Sequence, residues 1–132
     1  MMGLFKKEPA AEVRTVKKKV LKMILESAKS SYPDEFGALL RAEEGEISEV
    51  ILLPGTITGN THALFQLSNR PIDFSIVGSA HSHPSGNYTP SEADLDFFHR
   101  SGTVHIIVRS PYGMNDWAAY DVSGNRIRLE VL

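Results

Sequence analysis

The 132-residue sequence contains no cysteine. That absence removes disulfide bridges, thiolate nucleophiles and cysteine-ligated zinc, so any metal must be held by nitrogen and oxygen. A surplus of basic charge is missing as well: 14 Lys and Arg stand against 16 Asp and Glu, giving a net charge of -2. Without clustered cations to neutralise phosphates there is no electrostatic reason to expect a nucleic-acid partner. No apolar run approaches the roughly 20 residues that span a bilayer, so no membrane partner is expected either. The opening MMGLFKKEPAAEVRTVKKK lacks the apolar stretch that follows the charges of a secretory signal, and the expected location is the cytoplasm.

What is present is ordinary for one soluble domain: 42% hydrophobic and 23% charged residues. Residues 1–12 read as a loose tail, and 13–132 as the domain. Apolar residues from Val13 to Ala28 fall three or four apart, which predicts an amphipathic helix from Val13 to Ser30, stopped by Pro33. Arg14 and Lys17 to Lys19 then form its solvated face. EFGALLRAE (Glu35–Glu43) and EISEVILLP (Glu46–Pro54) flank Glu44 and Gly45 as a hairpin. A polar loop, Gly55–Thr61, leads to a strand in HALFQLS, and DFSIVGSAHSH (Asp73–His83) reads as a buried strand.

Thr89, Pro90 and Glu92 predict a capped helix start, with Thr89 as the cap and Glu92 closing a capping box, and Gly102 ends that helix. Strands follow at TVHIIVR and DWAAYDV, and after the turn Ser123–Asn125 an alternating strand, RIRLEVL, completes the chain. Helix, strands, helix, strands implies a mixed sheet flanked by helices.

The stretch HSHPSGNYTPSEADL, His81–Leu95, carries the chemistry. At a strand end the period of two aims His81 and His83 to the same face, about 7 Å apart at Cα. Pro84 stops the strand, a turn rich in Ser, Gly and Asn reverses the chain, and Asp94 follows in the helix beside Phe97 and Phe98. A carboxylate on a face that packs inward is costly without a compensating charge. A zinc ion supplies one, and two imidazoles with one carboxylate leave a fourth position for water. Hydrolysis also needs a carboxylate near the metal that is not a ligand. Glu35 opens an apolar run and shares a face with Gly37 and Leu39; the residues alone leave open whether it serves this role or merely closes a turn with Asp34.

The pattern His-x-His-Pro, six residues, Ser, two residues, Asp, together with the upstream Glu35 in PDEFGALL, resembles the signature of the JAMM/MPN+ zinc metalloproteases, especially short archaeal members. The resemblance covers nearly the whole domain. It implies a cytidine-deaminase-like α/β/α sandwich, the JAB1/MPN domain. It also implies a zinc-dependent isopeptidase that cleaves ubiquitin-like modifiers from target lysines. Carried over by position, His81, His83 and Asp94 ligate one zinc with its bound water, Glu35 is the general base and acid, and Ser91 stabilises the tetrahedral intermediate. The partners implied are ubiquitin-like small modifier proteins and their conjugates, whose Gly-Gly tail would lie near Gly55–Gln66 and Ser85–Tyr88; a homodimer stays open. Insertions that grip both halves of a ubiquitin chain in larger relatives have no room here.

Two alternatives remain within the family: a protease that processes sulfur-carrier proteins ending in Gly-Gly, and a non-catalytic scaffold, against which the intact ligand set argues. A nucleoside deaminase of related fold would need Pro-Cys-x-x-Cys, which the sequence lacks. Elsewhere, His62 reads as an exposed loop residue, His99 as a partner of the helix dipole, His105 as a hydrogen-bonded core residue, and Trp117 as a packing residue.

Overall fold

A computed structural model describes residues 12–52 and 75–132. The expected loop and strand between Gly55 and Ser68, the substrate stretch Gly55–Gln66, and the tail up to residue 11 lie outside the described residues. Eight described strands form one mixed sheet: β1 (Thr15–Val16), β2 (Gly37–Glu43), β3 (Glu46–Leu52), β4 (Ile76–His83), β5 (Val104–Arg109), β6 (Trp117–Tyr120), β7 (Arg126–Ile127) and β8 (Glu130–Val131). Their order across the sheet is β7-β6-β5-β4-β2-β3-β1-β8. Helices α1 (Lys18–Ser31) and α2 (Glu92–Ser101) pack against it.

Alternation along β5 shows that the helices cover opposite faces. Val104, Ile106 and Val108 join the core formed with Val20, Leu21, Ile24, Leu25 and Ala28 of α1. Ile107 instead joins Phe97 and Phe98 of α2. This is the expected α/β/α layering. Val20, Leu21, Ile24 and Leu25 are buried, and each leaving water contributes about 1.5–3 kcal/mol, which is what holds α1 to the sheet.

The first helix starts later than its apolar spacing predicted. Thr15 and Val16 are extended, pairing in parallel with Glu46 and Ile47 on one side and with Glu130 and Val131 on the other. Helical spacing at Val13 and Val16 loses to this double pairing because β-branched residues fit a strand and an isolated first turn is costly. The hairpin turn is as expected, and both Glu44 (φ 50) and Gly45 (φ 82) take the positive φ of a tight two-residue turn.

The last strand is also not continuous. Arg126–Ile127 pairs with β6, whereas Glu130–Val131 pairs with β1 at the far edge of the sheet. Only Arg128 and Leu129 lie between, and two extended residues reach no more than about 3.3–3.6 Å each. The sheet therefore curls until its two edges nearly meet, and the C-terminal segment bridges them. Gly102 ends α2 where space forbids any side chain: at φ 125 a Cβ would sit 2.2 Å from the Val77 carbonyl oxygen.

Candidate metal centre

Strand β4 runs in the middle of the sheet, antiparallel to β2 and parallel to β5. Gly78 lets β5 approach closely, since a Cβ there would collide with the Val104 carbonyl, and the C-terminal end of β4 delivers His81 and His83 to the α2 face. The chain then turns back into α2, whose start differs from the sequence expectation. Ser91, not Thr89, is the N-cap, and the capping box closes on Asp94 rather than Glu92: the Asp94 N–H donates to Ser91 Oγ (3.1 Å) and the Ser91 N–H donates to Asp94 Oδ2 (2.8 Å). Thr89 is instead held in the preceding turn, its N–H donating to Asn87 Oδ1. Asp94 thus sits in the first turn of α2, fixed by its own cap.

The three side chains converge. His81 Nε2 and His83 Nε2 are 3.2 Å apart, His81 Nε2 lies 3.1 Å from Asp94 Oδ1, and His83 Nε2 lies 3.1 Å from Asp94 Oδ2. Donors about 2.0–2.1 Å from one ion at the tetrahedral angle stand roughly 3.3 Å from each other. The spacing is that of ligands around a shared cation. Burial sharpens the argument, since Asp94 is 4% and His81 3% exposed, and a buried carboxylate requires a positive partner.

The hydrogen bonds outside the cluster fix its polarity. His83 Nδ1 lies 2.7 Å from the Asn87 carbonyl oxygen, which can only accept, so Nδ1 carries a proton and Nε2 is the nitrogen left to face Asp94 or an ion. A metal-binding histidine is oriented in this way by an outer carbonyl. The loop that supplies Asn87 is itself held, because the Tyr120 hydroxyl donates to the Tyr88 carbonyl (2.6 Å) and the Arg109 and Arg126 guanidinium groups lie against the Tyr88 ring. Burial works to raise the Asp94 carboxyl, but hydrogen bonds from His81 and His83 and the charge on His81 hold it well below the usual carboxylate range. Burial works to lower His83, yet the bond to Asp94, the Asn87 carbonyl and the charges of Asp94 and Glu35 leave it above its ordinary value. The net direction of both shifts, against burial, marks the cluster as a place that favours positive charge.

Glu35 lies beside this cluster. The β2–β4 register pairs Gly37 with His81, and continuing it places Phe36 opposite Ser82 and Glu35 opposite His83. Residues opposite each other in an antiparallel pair share a face, so the face shared with Gly37 and Leu39 is the face of the ligands. Glu35, His83, Pro84, Ser85, Ser91, Ala93 and Asp94 line one open cavity of about 520 Å³. The structure thus brings together all five residues singled out in the sequence. Of the expected substrate stretch Ser85–Tyr88, Ser85 lines the cavity.

His105 is a core residue, as expected. Nε2 lies 3.0 Å from the Gly102 carbonyl oxygen, Nδ1 lies 2.7 Å from Ser79 Oγ, and the ring stacks on Phe98 at 4.1 Å. His99 is exposed in the last turn of α2. Trp117 packs against the α1 side of the core. The roles that the sequence did not point to are those of the Asn87 carbonyl toward His83 and of Ser82 toward Phe36. Asn87 acts through a backbone carbonyl, which every residue type carries, so no sequence signal exists for it.

Comparison with known proteins agrees with this geometry. A profile of prokaryotic homologs of the JAB domain matches residues 17–120. A probable metalloprotease of Haloferax volcanii is 40% identical over 141 residues, spanning 99% of this chain and 85% of the relative. A solved structure described as a JAMM metalloprotease-like zinc site in the proteasome and signalosome is similar with a TM-score of 0.74 and 38% identity, over 91% of this chain and 98% of that one. A JAB1/MPN domain protein from Archaeoglobus fulgidus is similar with a TM-score of 0.74 and 41% identity, over 89% of this chain and 98% of that one.

Proposed function

The chain belongs to the JAMM/MPN+ metalloprotease family, and from that premise we propose that it is a cytoplasmic zinc isopeptidase that cleaves the bond between the C-terminal Gly-Gly of a ubiquitin-like modifier and a target lysine. The observation that supports hydrolysis most strongly is the convergence of His81, His83 and Asp94 to within 4.8 Å with a non-ligand carboxylate, Glu35, lining the same cavity as His83 and Asp94. All the donors are nitrogen or carboxylate oxygen, a set that suits zinc in a catalytic rather than a structural site. His81 and His83 would hold the ion through Nε2 and Asp94 through its carboxylate. When bound, zinc supplies Lewis acidity, lowering the pKa of water to near 7 and polarising a carbonyl.

The chain's own residues account for the rest. Glu35 takes the proton from the attacking water and returns it to the lysine amine as the C–N bond breaks, and its place beside His83 puts it within the same cavity as the reacting carbonyl. The Ser91 hydroxyl accepts the Asp94 N–H and keeps its own hydrogen to donate to the carbonyl oxygen as that oxygen becomes negative. Asn87 holds the His83 ring in the tautomer that leaves Nε2 free. Ser85, Ser91 and Ala93 line the cavity with small side chains, which suits a tail of two glycines that brings no side chains of its own.

The test is hydrolysis by zinc-loaded protein of two peptides ending in Gly-Gly, one joined through an isopeptide bond to a lysine ε-amine and one extended linearly beyond the glycines. Cleavage of the first, lost in Glu35→Gln with zinc retained, is the expected result. Cleavage of the linear peptide alone would move the substrate to a sulfur-carrier precursor. Absence of cleavage of either would refute the hydrolase reading.

A further inference from the structure

Glu35 lies beyond the last backbone pair of the β2–β4 ladder, Gly37 with His81, so regular sheet hydrogen bonding does not reach it. What holds the chain there is Ser82, the residue between the two histidines. Its N–H donates to the Phe36 carbonyl (3.0 Å), and its Oγ accepts the Phe36 N–H (2.8 Å). A side chain thus completes a rung that the backbone ladder leaves open. Alternation sends Ser82 to the face opposite His81 and His83. There it is fully buried, and Phe36 belongs to the same apolar core.

A serine hydroxyl in such a core is unfavourable unless it is bonded, and here its bond is to the residue next to Glu35. We propose that Ser82 is a positioning residue: it pins Phe36 to the ligand strand and thereby sets the distance between the Glu35 carboxylate and the His81, His83 and Asp94 cluster. The proposal rests on the hydrolase reading for its catalytic consequence, and on the hydrogen bonds alone for its structural one. One strand then carries two ligands on one face and, on the other, the fastener for the proton carrier. A misplacement of about 1 Å in such a group costs on the order of 10²-fold in rate, so the fastener matters although it touches no substrate.

Two measurements test this, the first without substrate. Amide hydrogen exchange by NMR is expected to be at least about tenfold faster at Phe36 in Ser82→Ala than in wild type, since a buried hydrogen bond is opened, and to return to the wild-type rate in Ser82→Thr, which keeps the hydroxyl. With the Gly-Gly isopeptide peptide, Ser82→Ala is expected to lower kcat by roughly 10 to 100-fold with KM within about threefold, zinc content unchanged, and Ser82→Thr to recover most of the loss. In a Glu35→Gln background the same Ser82→Ala change is expected to cost little more, because the two residues act through one step.

Unchanged Phe36 exchange in Ser82→Ala would overturn the proposal, as would loss of zinc, or an equal loss of kcat with and without Glu35. Should the wild type leave the peptide intact, the hydrolase reading falls. The exchange rates of Glu35 and Phe36 then decide alone whether Ser82 is the fastener.

Discussion

Acid should destabilise this fold through a residue that is not in the metal centre. His105 is fully buried, and burial pushes its imidazole down from 6.5 to about 4. The neutral ring is well matched to its surroundings: Nε2–H donates to the Gly102 carbonyl, Ser79 Oγ–H donates to Nδ1, and Phe98 stacks on its face. A proton on Nδ1 would put a charge into the core and remove the acceptor that Ser79 uses. Between pH 6.5 and about pH 4 the unfolded chain therefore binds a proton that the folded one refuses, and stability must fall as pH falls through that window. Below it, both states are protonated and the loss is complete. A difference of about 2.5 pH units, at about 1.4 kcal/mol each, amounts to a loss on the order of 3 kcal/mol, a large share of the stability of a small domain.

The measurement is the urea unfolding free energy of wild type and His105→Gln at pH 7.5 and pH 4.5, both stripped of metal with a chelator so that metal release adds no pH dependence. Glutamine keeps a donor and an acceptor but cannot titrate. The variant carries a constant penalty from lost stacking on Phe98, whereas the extra acid sensitivity should belong to the wild type, at about 2–3 kcal/mol over that interval. Shifts at His83 and Asp94 are common to both proteins and cancel. Parallel losses in the two proteins would show that His105 is protonated as easily folded as unfolded, and the reasoning from burial would be wrong.

Ser91 carries two loads that can be read apart. Ser91→Ala is expected to lower stability by about 0.5–2 kcal/mol through loss of the α2 cap, and to lower kcat by roughly 10²-fold through loss of the oxyanion donor; a stability loss with unchanged kcat would leave Ser91 as a cap only. Tyr112 is buried in the α1-side core with its hydroxyl facing Ser82 but without a well-formed hydrogen bond. Removing that hydroxyl in Tyr112→Phe is therefore expected to raise stability by about 1 kcal/mol, measured as a higher urea midpoint with unchanged slope, and a destabilised variant would show that the hydroxyl is bonded after all.

Much of the site is legible in the sequence because its signals are local. Two histidines one residue apart before a proline share a face by strand period. The aspartate beside Phe97 and Phe98 in the helix start calls for a compensating charge, and the spacing of all three matches the family signature. Glu35 is harder, since only the pairing of β2 with β4 brings it opposite His83, and pairing partners are not encoded in either strand by itself. At the α2 start the sequence pointed to a capping box of Thr89 with Glu92, whereas the helix is capped by Ser91 with Asp94. Thr89 is drawn into a turn by Asn87, and the Asp94 carboxylate reaches back to the Ser91 N–H. Short edge pairings were the least visible: Thr15–Val16 reads as helix by spacing, and the break at Arg128–Leu129 reads as continuous strand, because both are decided by partners distant in the chain. Ser82 and Asn87 were missed because one looks like a spacer between ligands and the other works through its backbone.

The central claim, that His81, His83 and Asp94 are built to hold one zinc ion, is tested most directly by anomalous X-ray scattering at the zinc edge from crystals grown with the metal. The account predicts a single peak about 2.0–2.2 Å from His81 Nε2, His83 Nε2 and an Asp94 carboxylate oxygen, and no peak there in Asp94→Asn crystals grown alike. Zinc-soaked crystals whose only anomalous signal lies elsewhere, with the three side chains still converging, would contradict it.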